Sequence, residues 1–246
     1  MENYQAVAII PAAGTGQRMH AGINKIWLQL DEQIILEHII KVFYDLTAIN
    51  HIVLAVNPDE LEKMNGFIQN HHELDSAKFS LVTGGTQRQD SVGNCLAFLE
   101  TWPWLQNHKS LVLVHDAARV LITPELICHA IDQCLVYNAV GLGVPVKDTI
   151  KKIDAKGFVS QTIDRSTLWA IQTPQVFDFN LLCDCYKRVS KLNLKFTDDC
   201  SVVEYCGHPV KLVEGSYENF KITTPEDLIM AEAILRRRKN ANRSRI

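Results

Sequence analysis

The sequence predicts an α/β fold, a doubly wound and mostly parallel sheet with an inserted β-hairpin arm. Three observations support this class. Short apolar runs alternate with stretches of helical spacing from the N-terminus onward, a turn of small residues follows the first apolar run, and helical spacing disappears once, between Lys147 and Thr173. The 246 residues are 47% hydrophobic, which is enough for one large core. Two small domains are the alternative, and we expect the simpler arrangement, a single domain over residues 1–246.

In the first half of the chain, apolar runs predict buried strands, and apolar residues spaced by three and four predict helices. Asn57-Pro58 marks one helix start, because asparagine caps a helix and proline fits its first turn. The predicted strands are 6–10, 51–56, 78–82 and 111–114, and the predicted helices are 34–46, 57–70 and 89–100.

In the second half, Thr123-Pro124 and Thr224-Pro225 mark helix starts by the same rule. Six basic residues and no acid follow from Arg236 onward, so we expect residues 239–246 to be a frayed basic tail. The predicted helices are 123–137, 179–192, 199–205 and 224–237, and the predicted strands are 139–146 and 210–213.

The arm is predicted at residues 147–173. Two β-prone runs, Thr149–Ile153 and Phe158–Ile163, flank Asp154–Gly157, which is a hairpin signal. A hairpin of this kind is exposed on both faces unless something covers it, so we expect it to pack against a second copy of the chain. A monomeric flap over the binding site is the alternative.

Composition narrows the class of protein. The net charge of −3 argues against general nucleic-acid binding. The first residues lack the pattern of a signal peptide, and no run approaches the length of a membrane span. The seven cysteines form no Cys-x-x-Cys pair and mostly occupy apolar helix positions, so buried reduced thiols are expected rather than disulfides or zinc. We expect a cytoplasmic protein without membrane partners.

The turn after the first strand, Pro11–Met19, is suited to a nucleotide. Its glycines let backbone N–H groups converge on phosphate oxygens, and its alanines leave room for a planar base. It lacks the Gly-Lys-Ser/Thr ending of a P-loop, and Met19 stands where the dinucleotide fingerprint has a small residue. Arg18 and Lys25 make it cationic instead, although a tight turn with two solvated basic residues is the alternative. The small residues are Ala12, Ala13, Gly14 and Gly16.

Ligands of an open α/β sheet bind beyond the carboxyl ends of its strands, and the residues expected there suit phosphate chemistry. Cations and Mg²⁺ stabilise a transferring phosphoryl group with little proton transfer. Asp116 ends a buried strand and needs a partner, either a metal ion or Arg119. Arg88 and Ser91 also fit ordinary surface and capping roles. Besides the first turn, the expected set is Gly84, Gly85, Arg88, Ser91, Asp116, Arg119, Thr149 and Lys221.

With these residues assembled, the chain resembles the 2-C-methyl-D-erythritol 4-phosphate cytidylyltransferase family nearly from end to end. The resemblance implies a Rossmann-like nucleotidyltransferase fold and a homodimer that exchanges the β-arm. It also implies Mg²⁺-dependent transfer of CMP from CTP to methylerythritol phosphate, with release of pyrophosphate. The matching segments are Pro11–Met19, Gly84-Gly85-x-x-Arg88-x-x-Ser91-Val92, Val114–Arg119, Pro145-x-x-Asp148-Thr149, Gln172–Gln175, Thr197-Asp198 and Asn219-x-Lys221-x-Thr223.

The resemblance also implies residue roles. Arg18 and Lys25 stabilise the transition-state charge, Asp116 sits at the Mg²⁺, and Lys221 binds the methylerythritol phosphate. Arg165 reaches that substrate from the arm of the partner subunit. The implied catalytic residues are Arg18, Lys25, Arg165 and Lys221, and the implied substrate-binding residues are Ala12, Ala13, Gly14, Gly16, Gly85, Arg88, Ser91, Asp116, Arg119, Thr149 and Thr173.

The chain departs from the family pattern at several positions, none of which removes a charge that the mechanism needs. Asn24-Lys25-Ile26-Trp27 replaces the usual Pro-Lys-Gln-Tyr, which puts the rigidity of the lysine loop in question. Val120 stands at a usual proline, and Thr86 at a common acidic residue. Two other functions stay open: a ribitol 5-phosphate cytidylyltransferase, and a non-catalytic nucleotide-binding regulator.

Overall fold

The computed structural model describes residues 4–14, 24–106, 108–192 and 194–243. Within these residues, apolar runs form strands and amphipathic runs form helices in the predicted alternation. The strands are β1 (Tyr4–Pro11), β2 (Gln29–Leu30), β3 (Gln33–Ile34), β4 (His51–Val56), β5 (Phe79–Thr83), β6 (Lys109–Val114), β7 (Ala139–Pro145), β8 (Lys151–Ile153), β9 (Val159–Thr162), β10 (Trp169–Asp178) and β11 (Lys211–Glu214). The helices are α1 (Ile35–Tyr44), α2 (Leu61–Asn70), α3 (Arg88–Leu99), α4 (Pro103–Gln106), α5 (Pro124–Tyr137), α6 (Phe179–Val189), α7 (Asp199–Tyr205) and α8 (Pro225–Arg243).

The central sheet of the described chain has seven strands in the order β11-β7-β10-β6-β1-β4-β5. β1 pairs in parallel with both β4 and β6, and β5 and β11 also pair in parallel with their neighbours. β10 is the antiparallel member, inserted between β6 and β7. The predicted α/β class with a mostly parallel sheet is confirmed.

Helices cover both faces of this sheet, and alternate residues of β1 show the consequence. Ala6, Ala8 and Ile10 belong to one buried cluster, whereas Val7 and Ile9 belong to the cluster on the opposite face. Residues buried on both faces explain why the central strands are near-continuous apolar runs rather than alternating ones. The sheet is therefore a rigid base for the loops at its edge.

The arm is a β-hairpin formed by β8 and β9, as predicted. Asp154 closes its turn by accepting hydrogen bonds from the backbone N–H groups of Lys156 and Phe158, and Gly157 adopts a positive φ of 86°. Both strands are exposed along their whole length, and the side chain of Phe158 is 70% exposed.

The bounds predicted for the arm and for the frayed tail were wrong. Residues 169–173 were assigned to the arm but belong to β10, whose partners in β6 and β7 are distant in sequence. The frayed tail was expected from residue 239, but α8 continues to Arg243. Its last turns are held by ion pairs, because Arg238 contacts Glu218 at 2.9 Å and Lys239 contacts Asp31.

All seven cysteines are free thiols, and all except Cys128 are buried, as predicted. Among the described helices, none combines the length and the apolar character needed to cross a bilayer.

Candidate active site

A cavity of about 360 Å³ opens at the carboxyl ends of β1, β5 and β6. This is the edge at which open α/β sheets bind ligands. The loop after β1, the loop leading into α3 and the segment after β6 meet there, together with two lysines from distant parts of the chain. The lining residues are Pro11, Ala12, Ala13, Gly14, Asn24, Lys25, Ile26, Gly85, Thr86, Gln87, Arg88, Ser91, Asp116, Ala117, Ala118, Lys221 and Thr223.

Glycine allows the loop before α3 to approach the loop after β1. A Cβ atom on Gly84 would lie 2.4 Å from the Cβ of Ala13, which is closer than side chains can pack. The backbone N–H of Gly85 donates to Ser91 Oγ at 3.0 Å, and Ser91 in turn donates to the Gln87 carbonyl at 3.1 Å. Ser91 was expected to bind substrate, and here its hydroxyl shapes the loop that lines the cavity.

Asp116 lies at the centre of a cluster of cations. Its Oδ1 accepts from Arg88 Nε at 2.9 Å, and its Oδ2 accepts from Lys221 Nζ at 2.8 Å. The Nε of Arg119 lies 3.6 Å from the same Oδ2. Burial alone would raise the pKa of Asp116, but the three cations outweigh it and hold the pKa well below its usual range. The carboxyl group is therefore an anion at every physiological pH.

Arg88 joins this cluster to a second, fully buried carboxylate that sequence reasoning missed. Its Nη2 donates to Asp199 Oδ2 at 2.8 Å, and the hydroxyl of Tyr186 donates to Asp199 Oδ1 at 2.6 Å. The side-chain oxygen of Gln175 accepts from the backbone N–H of Asp199. The available signal was the acid pair Asp198-Asp199 at a helix start, where one acid suffices for the cap.

Lys25 reaches the same cavity from a short 3₁₀ helix, Lys25–Trp27, and its Nζ donates to the Ile222 carbonyl at 3.0 Å. Asn24 anchors this segment by donating to the Ala12 carbonyl at 2.9 Å and to Glu60 at 2.7 Å. The indole N–H of Trp27 donates to the other oxygen of Glu60 at 2.8 Å. The unusual asparagine and tryptophan therefore fasten the lysine loop to the protein.

Arg119 and Thr173 lie beside the cavity rather than in its lining. Arg119 donates from Nη1 to the Asn219 carbonyl at 2.8 Å, in addition to its contact with Asp116. The hydroxyl of Thr173 accepts from the backbone N–H of Asp116 at 3.0 Å and is buried. Both residues thus shape the surroundings of Asp116.

The two arm residues expected at the site are not brought to it within this chain. Thr149 and Arg165 are exposed, and Arg165 donates to the Lys147 carbonyl at the base of the arm. Gly16 and Arg18 lie outside the described residues. The remaining predicted residues of the cleft meet at the cavity: Ala12, Ala13, Gly14, Lys25, Gly85, Arg88, Ser91, Asp116 and Lys221.

The donor set of the cavity fits a Mg²⁺ ion that is held mainly by a bound polyphosphate. Among the described residues, no group of three or more histidines, cysteines or carboxylates is placed to form a protein cage for a metal ion. Mg²⁺ commonly uses one or two carboxylates together with phosphate oxygens and water. Asp116 lines the cavity, and its Oδ1, which accepts one hydrogen bond, from Arg88, keeps a lone pair for a metal ion.

Comparisons with known proteins agree on one family. The family model for 2-C-methyl-D-erythritol 4-phosphate cytidylyltransferase matches residues 6–237. A relative of that name from Desulforamulus reducens is 42% identical over 232 residues, covering 94% of this chain and 96% of the relative. A solved 4-diphosphocytidyl-2C-methyl-D-erythritol synthase from Anaerococcus prevotii has a TM-score of 0.81 and 31% identity, covering 94% of this chain and 96% of that one. A solved 2-C-methyl-D-erythritol 4-phosphate cytidylyltransferase from Thermus thermophilus has a TM-score of 0.72 and 27% identity, covering 96% of this chain and 100% of that one.

Proposed function

Because this chain belongs to the 2-C-methyl-D-erythritol 4-phosphate cytidylyltransferase family, we propose that its cleft performs the family reaction with the residues described above. The chain transfers CMP from CTP to 2-C-methyl-D-erythritol 4-phosphate, giving 4-diphosphocytidyl-2-C-methyl-D-erythritol and pyrophosphate. One observation supports this assignment most strongly. Lys25, Lys221 and Arg88, which are far apart in sequence, converge on one cavity beside the glycine loops.

In the proposed mechanism, an oxygen of the substrate's phosphate attacks the α-phosphorus of CTP in line. The new bond joins that oxygen to the α-phosphorus, the bond from the α-phosphorus to the bridging oxygen breaks, and pyrophosphate leaves with the electron pair. A phosphate monoester loses its second proton near pH ~6, so the nucleophile is already an anion at neutral pH. The cleft needs no general base, which fits the residues that line it.

The protein's contribution is therefore positioning and charge. The small residues Ala12, Ala13 and Gly14 admit the nucleotide close to the backbone, and Lys25 faces the charge that develops during transfer. Lys221 receives the phosphate of the acceptor. The role of Arg18 in this proposal rests on the sequence alone, because Arg18 lies outside the described residues.

We also propose that Mg²⁺ takes part, with Asp116 and the CTP phosphates as its ligands. When bound, the ion neutralises negative charge on the triphosphate and so favours departure of pyrophosphate. The cations around Asp116 keep its carboxyl group ionised and in place for this role. Free cysteines, most of them buried, support a reducing and hence cytoplasmic location.

A homodimer completes the proposed site. The arm exposes apolar side chains on an unpaired hairpin, including Ile153 at 60% and Phe158 at 70% exposure, which favours contact with a second copy. Thr149 and Arg165 would then reach the acceptor in the partner's cleft.

The test of a shared cleft is to mix the variant Arg165→Ala with the variant Lys25→Ala. If the cleft is shared, a statistical 1:1 mixture regains roughly a quarter of wild-type turnover per site, because about half of its dimers are mixed and one of the two clefts in each mixed dimer has both residues. Absence of any regain, with exchange of subunits demonstrated, would argue for sites built within one chain.

The activity itself is tested by pyrophosphate release from CTP with Mg²⁺ and each acceptor. Lys25→Ala should lower kcat by roughly 10²-fold while CTP binding changes far less, because the contribution of Lys25 grows as charge develops. Lys191→Ala is the matched control, since Lys191 is an exposed lysine away from the cleft. Faster turnover of ribitol 5-phosphate would reassign the acceptor. CTP binding without pyrophosphate release would instead favour a non-catalytic regulator.

A further inference from the structure

His115 is a buried histidine for which the mechanism above has no use. It follows β6 directly, its residue is 0% exposed, and it does not line the cavity. Its ring packs against Phe43, with 5.1 Å between the ring centroids. A polar ring enclosed in this way needs hydrogen-bond partners for both nitrogens.

The partners of His115 define the direction of each hydrogen bond. Nε2 lies 3.2 Å from the Arg119 carbonyl, which can only accept, so Nε2 carries the proton. In the neutral ring Nδ1 is then an acceptor, and it receives the hydroxyl proton of Thr173 at 3.2 Å. The Thr173 oxygen accepts in turn from the backbone N–H of Asp116 at 3.0 Å. The hydrogen bonds therefore form a relay from Asp116 N–H through Thr173 and His115 to the Arg119 carbonyl.

This relay links backbone groups within the five-residue loop 115–119. Asp116 and Arg119 are the two charged residues of the loop 115–119, and the relay holds one backbone group of each. Their backbones are also joined by a hydrogen bond from Arg119 N–H to the Asp116 carbonyl at 3.0 Å. Because the Thr173 hydroxyl proton is committed to His115, any further contact of that hydroxyl must be as an acceptor.

We propose that His115 is a positioning residue, whose ring fixes the Asp116–Arg119 loop so that both charged side chains keep the geometry that cytidylyl transfer requires. This inference rests on the proposed function. His115 touches no substrate, and it acts through Thr173 and the two backbone groups. Small displacements of groups that orient substrates are costly, since an error of about 1 Å can lower a rate by roughly 10²-fold.

Two substitutions separate the halves of the relay. His115→Asn keeps an acceptor near Nδ1 for Thr173 and loses the donor to Arg119, whereas His115→Gln keeps a donor near Nε2 and loses that acceptor. Each variant should lower kcat by roughly 10- to 100-fold, with KM for CTP changed by less than about threefold, in the Mg²⁺-loaded full-length enzyme. His38→Asn is the matched control, because Nε2 of His38 also contacts a backbone carbonyl, that of Leu30 at 2.8 Å, away from the cavity.

The melting temperature of each variant separates positioning from mere stability. If the His115 variants melt at a lower temperature but turn over at the wild-type kcat when folded, the proposal is overturned. Should neither variant fold, Thr173→Ser and Thr173→Val decide. Serine keeps the hydroxyl of the relay and should restore most of the kcat that valine loses, with KM for the methylerythritol acceptor differing by less than about threefold between the two. Equal kcat values, or a loss confined to the acceptor KM as a direct substrate contact of Thr173 would give, would overturn the proposal. A folded wild-type protein that releases no pyrophosphate would refute the proposed function first, and this inference with it.

Discussion

Replacing Asp116 by asparagine should destabilise the protein and at the same time strengthen its attraction for a triphosphate. The cluster contains the cations Arg88, Arg119 and Lys221 with the carboxylates Asp116 and Asp199, so the substitution raises its formal charge from +1 to +2. Removing one partner of a buried pair typically costs about 3–5 kcal/mol. The side chains of Arg88 and Lys221 are 26% and 34% exposed, so water screens part of the repulsion and the lower end applies.

A loss of about 3 kcal/mol corresponds to a fall in melting temperature of roughly 6–12 °C for a chain of this size. The assay is thermal unfolding at pH 7.5, with and without CTP in the absence of Mg²⁺. CTP should raise the melting temperature of Asp116→Asn more than that of the wild type, because a ligand that binds the folded state tightly stabilises it. Asp184→Asn is the control, since Asp184 is exposed on α6.

The difference in melting temperature between the wild type and Asp116→Asn should depend on pH in a way that follows from the direction of the pKa shift of Asp116. The pKa of Asp116 is lower in the folded than in the unfolded state, so its ionised form stabilises the fold fully above the unfolded value near ~4. That stabilisation is lost as the pH falls further, toward the folded value. The gap in melting temperature should therefore be constant from about pH 8 to pH 5 and shrink only below about pH 4. A gap below 2 °C at pH 7.5, or one that already closes between pH 8 and 5, would refute this reasoning.

Two further substitutions test the packing around the cleft. Gly84→Ala should cost about 1–3 kcal/mol and weaken CTP binding, because its Cβ would force the Ala13 loop outward, while Gly66→Ala should not destabilise because its Cβ meets open space. Isothermal titration with CTP and urea unfolding measure both effects, and unchanged CTP affinity in Gly84→Ala would contradict the first. Tyr186→Phe should lower the free energy of unfolding by about 1.5–3 kcal/mol, because it removes the hydroxyl that donates to the buried Asp199. A difference below about 0.5 kcal/mol in urea unfolding would show that the hydroxyl contributes nothing there.

Local signals made most of the fold predictable. The strand β4 and the helix α5 begin and end where apolar runs and the Thr123-Pro124 cap place them. The hairpin was recognised because Asp154 and Gly157 supply the turn chemistry within four residues. Each of these elements is determined by residues close together in sequence.

The strand β10 could not be recognised in the same way. Its segment contains Gln172, Thr173, Pro174 and Gln175, a composition typical of a loop. These polar side chains are buried because the fold supplies their partners, as Asp198 does for Gln175 and Ser216 does for Gln172. Such pairs join residues that are distant in sequence, so the periodicity of the strand cannot predict them.

The candidate site, like the fold, was predictable from the sequence only in part. The sequence predicted that most residues of the candidate site lie at one edge of the sheet, because the loops after parallel strands meet there. It could not show that Arg88 spans Asp116 and Asp199, since those partners lie 28 and 111 residues away. It also left open whether Ser91 binds a ligand or has a local capping role, and the structure shows its hydroxyl bonded within its own loop.

The base of the hairpin is anchored in the sheet that supports the cleft. The chain leaves β7 at Pro145 and returns at Trp169, and these two residues face each other as neighbouring partners in the ladder. Residues can therefore be added or removed at the turn 154–157 while Thr173, only a few positions beyond the base, keeps its place. The register of β10 against β7 already shifts between Ile171 and Gln175, and a further insertion between Trp169 and Thr173 would move the threonine hydroxyl away from the backbone N–H of Asp116. The turn at the tip of the hairpin can thus change in length without disturbing the cleft, whereas the segment between its base and Thr173 must deliver that hydroxyl to Asp116.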